Sequence, residues 1–366
     1  MRILHTEASC GWGGQEIRIL SEAQGLIERG HDVRLVCPRE ARIFEEAARF
    51  GVPVEALAIG RKRLRGVLAL RAYLKQHEFD VINTHSSTDA WLAALACRLV
   101  GGAPPIVRTR HISAPLSNNA ATRWLYARAT SYIATTGEAL REQLLTTLSV
   151  SPDRIVSVPT GVDATRYCPA DAEGKIVRRR QLGLPVDAPL VGIVATLRSW
   201  KGHRFLVEAF AGGLPSSAHL VIVGDGPQLE ALTAQIAQLG LPDRVRLVGN
   251  HPDVVPWLQA LDVFVLPSYA NEGVPQALMQ AMSCGLPCVT TNVGAIPELA
   301  RDGLTARIVP AQDADAIRLA IVELLADQSL RGRLGTAARE HVVATHGRAL
   351  MLDRMEALFH KAVEAP

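Results

Sequence analysis

The tightest constraint on this chain is an alternation of short β-branched runs with longer amphipathic runs, carried through twice. In the first half RILHT precedes a glycine-rich turn and the helix pattern EIRILSEAQGLIERG. VRLVC, the helical IFEEAARFG and VEALAI follow, then VINTH, IVRTR and SYIAT with helix patterns between them. Neighbouring parallel strands need a crossover of a dozen or more residues, usually a helix. Strands separated by helices of this length therefore predict βαβ units and a parallel sheet. The second half repeats the scheme: APLVGIVAT, HLVIVGDG, RVRLVG, DVFVLPS and PCVTT read as strands, with LVEAFAGG, LEALTAQIAQLG, VVPWLQAL and PQALMQAMSCG as helices between them. PTGVDATRYCPADAEGKI, at 159–176, has no periodicity and reads as a linker, which puts a boundary near Cys168. The last three segments, from Ala314 onward, are helical patterns. The fold class predicted is α/β, with two Rossmann-like domains at 1–167 and 168–345. Doubly wound domains place ligands at the carboxyl ends of their strands, so a cleft between two of them is the expected site.

Composition narrows the function class. A length of 366 residues suits about two domains. A net charge of +3 is too small to argue for nucleic acid. The charge is uneven: through Arg166 there are 21 lysines and arginines against 16 acids, and the remainder has 18 against 20. The six cysteines are scattered, and Cys284 with Cys288 lacks the further ligands of a zinc site. All six read as reduced thiols of a cytosolic protein. MRILHTEAS has no apolar signal region, and WLAALACRLVGGAPPIV is too broken by charge, glycine and proline to span a membrane.

The informative residues stand where strands hand over to helices. GWGGQE, with Gly13 and Gly14, opens the first helix. It is either a tight turn or a place where backbone approaches a phosphate. It is not GxGxxG, and no acid follows the second strand, which disfavours a dinucleotide. VGDGP puts Gly224 and Gly226 in a similar turn. RSWKGH places Arg198, Lys201 and His203 after the first strand of the second half, either as a solvated loop or as two cations for a diphosphate. NTHSS and RTRHIS each leave a histidine, His85 and His111, just past a strand. In YANEGVPQALMQAM, Glu272 precedes Pro275, which suits a first helical position. That carboxylate is either a helix cap or a ligand-binding group beyond a strand end.

In combination these phrases resemble the retaining, nucleotide-sugar-dependent glycosyltransferases of the GT-B fold, family 4, over nearly the whole chain. They occur in the family's order: the GG loop, a strand ending in His, PTGVD, WKGH, VGDGP, PSYANEGVPQALMQAMSCGLPCV, and Gly294 to Glu298 as G-x-x-E. The resemblance implies that Glu272 holds donor-sugar hydroxyls and Lys201 the donor phosphate. Amides around Gly273, Val274 and Gln276 would meet the sugar and phosphates, and His111 would contact the donor sugar. It also implies an acceptor-binding N-terminal domain, a nucleotide-sugar-binding C-terminal domain, and a helix at 346–366 packing back on the N-terminal domain. Three positions depart from the pattern. Gln280 stands where a second Glu usually bonds the ribose, Thr196 where an Arg usually lies, and Thr160 where the linker has Asn. Gln280 still accepts a hydrogen bond without charge assistance, and Arg198 is a substitute by spacing.

The implied reaction breaks an anomeric C–O bond and releases a nucleoside diphosphate, UDP more readily than GDP by family frequency. No other cofactor is expected. With no Asp-x-Asp motif in the phrases quoted above, Lys201 and Arg198 take the place of a divalent ion. The expected acceptor is a glycan or glycolipid of bacterial surface polysaccharide or lipopolysaccharide synthesis. Arg61, Lys62, Arg63 and Arg65 precede an amphipathic helix, either as a solvated face or as a contact for anionic lipid on the inner face of the cytoplasmic membrane. The competing readings are a nucleotide-sugar epimerase, a non-catalytic subunit of the same fold, and an NAD enzyme that lacks its fingerprint.

Overall fold

The computed structural model describes residues 1–111, 116–148, 150–270 and 272–365. The chain forms two compact units: Met1–Gly161 with Arg348–Pro366, and Val162–Gly347. The division falls after Gly161 rather than at Cys168, and the chain leaves the second unit at Gly347.

The first unit is built on seven strands: β1 (Arg2–Thr6), β2 (Asp32–Cys37), β3 (Val54–Ala56), β4 (Val81–Thr84), β5 (Ile106–Arg110), β6 (Tyr132–Thr135) and β7 (Ile155–Ser157). Their order is β3-β2-β1-β4-β5-β6-β7, and every pairing is parallel. Both faces are covered, as a parallel sheet requires. Alternation along the strands assigns them. Ile3, Val81 and Val107 pack with Ile19, Leu20 and Ala23 of helix Gly14–Glu28. Leu4, Ile82 and Ile106 pack on the other side with Leu70 of helix Leu64–Gln76 and Ala93 of helix Ser87–Arg98. The last helix, Arg348–Glu364, joins the first of these cores. It buries Met351, Leu352, Met355, Leu358, Phe359 and Ala362, a stripe at three- and four-residue spacing.

The second unit has β8 (Leu190–Val194), β9 (His219–Val223), β10 (Val245–Gly249), β11 (Val263–Leu266), β12 (Cys288–Thr290) and β13 (Arg307–Ile308), ordered β10-β9-β8-β11-β12-β13 and all parallel. All four residues of β11, VFVL, are buried, as expected of a strand inside a sheet covered on both faces. Helix His203–Ala211 turns Phe205, Leu206, Val207 and Phe210 into the same core.

Two local expectations are corrected, and two short strands are added. Residues 172–181 of the supposed linker form helix Ala172–Gln181, capped by the Asp171 carboxylate, which accepts from the Gly174 amide. Only Arg179 of its ten residues is buried, so it carries no apolar periodicity to read. The strands β7 and β13 have only three and two residues, too short to show a pattern. Pro275 is the cap rather than the first helical residue, with ψ at 118°, and helix Gln276–Ser283 begins one residue later.

Candidate functional site

In the second unit the strand order turns between β8 and β11, because the connection after β8 leads to β9 on one side and that after β11 to β12 on the other. Ligands of doubly wound sheets bind beyond the carboxyl ends at this switch point. Lys201 follows β8 and Glu272 follows β11, and their side chains meet: Lys201 Nζ donates to Glu272 Oε1 at 2.6 Å. Ser268 Oγ donates to the same oxygen at 2.5 Å. Glu272 is buried and Lys201 is 19% exposed. A shielded carboxylate of this kind is stable only when paired and hydrogen-bonded, and both conditions are met.

Backbone holds the pair in place. Lys201 lies in a short 3₁₀ turn, Ser199–Lys201, closed by Gly202 at φ +77°. A Cβ on Gly202 would fall 2.0 Å from the Pro267 carbonyl oxygen, so only glycine lets the two loops touch. Tyr269 N donates to Trp200 O at 2.8 Å, and Thr291 Oγ1 to Ser268 O at 2.6 Å. Gly294, at φ +61°, takes the Glu272 carbonyl against its Cα, where a Cβ would come within 2.0 Å. The turn after β9 packs on the loop after β8: Leu197 N donates to Asp225 O, and Gly224 lies against the Ala195 carbonyl.

Of the remaining expected residues here, Arg198 is exposed with its guanidinium 5.7 Å from the Trp200 ring centre. Thr196 is exposed. Gly273, Val274 and Gln276 lie on the stretch that enters helix Gln276–Ser283, and Gln280 sits one turn further on, half-buried. His203 turns into the core, where burial lowers its pKa to about 4, and so it is no phosphate-binding cation.

Gly13, Gly14 and His111 belong to the first unit. Its sheet turns between β1 and β4, and the residues past these strand ends are again polar. Gly13 caps helix Gly14–Glu28. Before it, the buried Glu7 carboxylate accepts from Ser9 N at 2.6 Å and Gln15 Nε2 at 2.5 Å. Burial first, then repulsion from Asp89, push the Glu7 carboxyl up to about 8. On the face under helix Gly14–Glu28 each strand changes from apolar to polar toward its carboxyl end: Ile3 to His5, Val81 to Asn83 and His85, Val107 to Thr109 and His111. Thr109 Oγ1 donates to Asn83 Oδ1 at 2.9 Å and Asn83 Nδ2 to Glu22 Oε1 at 3.1 Å, and Glu22 pairs with Arg18 at 3.4 Å. His5 Nδ1 lies 2.9 Å from His85 Nε2, and His85 Nδ1 lies 3.0 Å from His111 Nε2.

Sequence reasoning missed Ser268, Glu7 and His5. His5 carried a signal, an imidazole directly after the apolar pair Ile3 and Leu4 of a strand. Ser268 and Glu7 carried none beyond standing past strand ends. Arg61, Lys62, Arg63 and Arg65 are all exposed, although Lys62 Nζ donates to Ser87 Oγ at 3.1 Å. Leu64, beside them, is 71% exposed. Among the described residues no helix is long and apolar enough to cross a membrane.

Residues 175–341 match the family model for glycosyl transferases group 1, and residues 12–166 that for glycosyltransferase family 4. A D-inositol 3-phosphate glycosyltransferase of Xylanimonas cellulosilytica is 31% identical over 376 residues, spanning 89% of this chain and 87% of the relative. A UDP-Gal:alpha-D-GlcNAc-diphosphoundecaprenol alpha-1,3-galactosyltransferase of Escherichia coli is 28% identical over 348 residues, spanning 90% and 89%. The crystal structure of a glycosyltransferase from Rickettsia africae superposes with a TM-score of 0.89 at 19% identity, over 100% of this chain and 99% of that one, which is a likeness of fold.

Proposed function

The chain belongs to the family 4 glycosyltransferases, and from that premise we propose that it transfers a hexose, with retention of configuration, from a UDP-sugar to a lipid-linked or phosphorylated acceptor. The observation that carries this reading is the Lys201–Glu272 pair at the turn of strand order. A sugar diphosphate laid across it offers each group its natural partner. The Glu272 carboxylate accepts from sugar hydroxyls, and the Lys201 ammonium, aided by Arg198, meets the charge that grows on the departing phosphates. The amides of Gly273, Val274 and Gln276 add donors at a helix N-terminus, where anions are favoured. Gly224 leaves room for the nucleotide, Gln280 bonds a ribose hydroxyl, and His111 contacts the transferred sugar. Gly13 and Gly14 allow substrate to approach the backbone.

UDP is preferred because the Escherichia coli relative is named for a UDP-galactose donor. The acceptor class follows from the same name, which specifies a diphosphoundecaprenol, and from the inositol phosphate of the other relative. Both fit a role in bacterial surface-glycan synthesis. We propose transfer without a divalent ion, with Lys201 and Arg198 supplying the positive charge, so that activity persists in excess chelator. The exposed Arg61, Lys62, Arg63 and Arg65 beside Leu64 would hold the enzyme against anionic lipid on the cytoplasmic side.

The test is UDP release from UDP-galactose and UDP-glucose, with undecaprenyl-diphosphate-linked GlcNAc or inositol 3-phosphate as acceptor. Acceptor-dependent release with an α-linked product supports the reading. Epimerised sugar without acceptor would make the protein an epimerase, and binding without turnover a non-catalytic subunit.

A further inference from the structure

Three imidazoles stand in file on neighbouring strands of the first unit. His5 lies in β1, His85 follows β4 and His111 follows β5. The register pairs His5 with Asn83 and Asn83 with Val107. Because side chains alternate along a strand, His5, His85 and His111 fall on one face, each two residues further toward its strand's carboxyl end. Two hydrogen bonds of 2.9 and 3.0 Å join them, and the His5 and His85 ring planes differ by 7°. His5 and His85 are buried, and His111 is partly exposed.

A neutral imidazole carries one N–H and one bare nitrogen. Burial, followed for His85 by the neighbouring rings and Arg18 and for His111 by Arg18, holds all three well below the usual histidine range. Two proton arrangements are then open. In one, each ring donates toward His111: His5 Nδ1–H to His85 Nε2, and His85 Nδ1–H to His111 Nε2. In the other, each donates toward His5, and His5 Nε2 must carry a hydrogen. That nitrogen is buried and has no hydrogen-bond partner among the described residues. A buried N–H with no acceptor is a rarity in folded proteins, more so than an acceptor left without a donor. The first arrangement therefore prevails.

We propose that His85, backed by His5, is a positioning residue that holds His111 in its Nδ1–H form, making that nitrogen a hydrogen-bond donor to an oxygen of the bound sugar. The inference rests on the reading that His111 contacts substrate. It adds a reason for the two histidines behind it, since a donor fixed in advance needs no reorganisation when substrate arrives.

The test is nitrogen NMR of the full chain labelled with ¹⁵N-histidine, paired with kinetics of His85 variants. In the wild type, His111 is expected to show a protonated Nδ1 and a bare Nε2; a protonated Nε2 overturns the proposal. In His85→Phe the donor is gone, and His111 is expected to lose its single tautomer. With UDP-galactose and the lipid-linked acceptor, kcat should fall about 10- to 100-fold, as when partners behind a working histidine are removed, with little change in donor KM. His85→Asn keeps an amide N–H in the place of Nδ1 and is expected to recover most of kcat. Equal losses in the two variants would contradict the proposal, and the wild-type spectrum decides it even if His85→Phe fails to fold. An inactive wild type with His111 in the Nδ1–H form would sink the transferase reading and leave the relay standing.

Discussion

Glu272 and Lys201 are each other's counter-charge, and replacing either changes the charge of the site. Glu272→Gln keeps the size and a hydrogen-bond acceptor but removes the charge. We expect turnover to fall about 10²- to 10³-fold, the cost of losing one well-placed electrostatic partner, with unfolding temperature little changed. Steady-state kinetics beside a thermal melt check this, and undiminished turnover would remove Glu272 from the site. Lys201→Ala leaves the buried carboxylate unpaired and is expected to lower stability as well, by less than the ~3–5 kcal/mol of a fully buried broken pair, because Lys201 keeps 19% of its surface in solvent. Both residues could be read from sequence, since each follows a strand and precedes a helix in a recognisable phrase. Ser268 could not, because a serine after a strand has many uses. Nothing short of coordinates reveals that its hydroxyl reaches Glu272.

Among the elements, the strands of four to six residues with unbroken apolar runs could be placed from pattern alone. Of the shorter ones, β3 and β12 lie inside the readable runs VEALAI and PCVTT, whereas β7 and β13, of three and two residues, went unread, since a period needs more residues to declare itself. Helix Ala172–Gln181 hid for the opposite reason: of its ten residues only Arg179 is buried, so it has no apolar stripe to read. The loops between elements also set limits that substitution can probe. Gly294→Ala puts a methyl 2.0 Å from the Glu272 carbonyl in a left-handed conformation. We expect the loop bearing Glu272 to shift, with weaker UDP-galactose binding by calorimetry and a lower melting temperature; unchanged values in both would mean the contact does not hold Glu272. The exposed start of helix Leu64–Gln76 makes a separate prediction. Changing Arg61, Lys62, Arg63 and Arg65 to Gln should abolish co-sedimentation with anionic vesicles while leaving turnover of a soluble acceptor intact. Equal pelleting would reject the membrane contact.

Across the entire chain, the two-fold βαβ repetition made both sheets readable, whereas the polar layer under helix Gly14–Glu28 arises only when β1, β4 and β5 lie side by side. That layer, together with His203 of the second unit, makes stability depend on pH. His5, His85, His111 and His203 have pKa values below their unfolded value of 6.5, so between those values the unfolded chain binds more protons. Their contribution is complete above pH 6.5 and is lost as pH falls toward the folded values near 3 and 4 of His5 and His203. Glu7 has the opposite sign: raised from 4.5 to about 8, it favours the folded state at low pH and ceases to as pH rises to 8. Burial raises Glu22 and Asp89 as well, with the same sign as Glu7, so the melting temperature should drop below pH 6.5 by the margin of four histidines over three carboxyls. Glu7→Gln should flatten any decline between pH 6.5 and 8. A melting temperature level from pH 7 to 5 would mean that the histidines are not buried neutral.

Titration calorimetry of the wild type and Lys201→Ala with UDP-galactose and UDP-glucose tests the reading of this site at its root. The wild type is expected to bind at least one of the two, and Lys201→Ala to bind it tenfold or more weakly, a difference of about 1.4 kcal/mol. Binding of equal strength in both proteins would contradict the assignment of Lys201 and Glu272 to the sugar diphosphate.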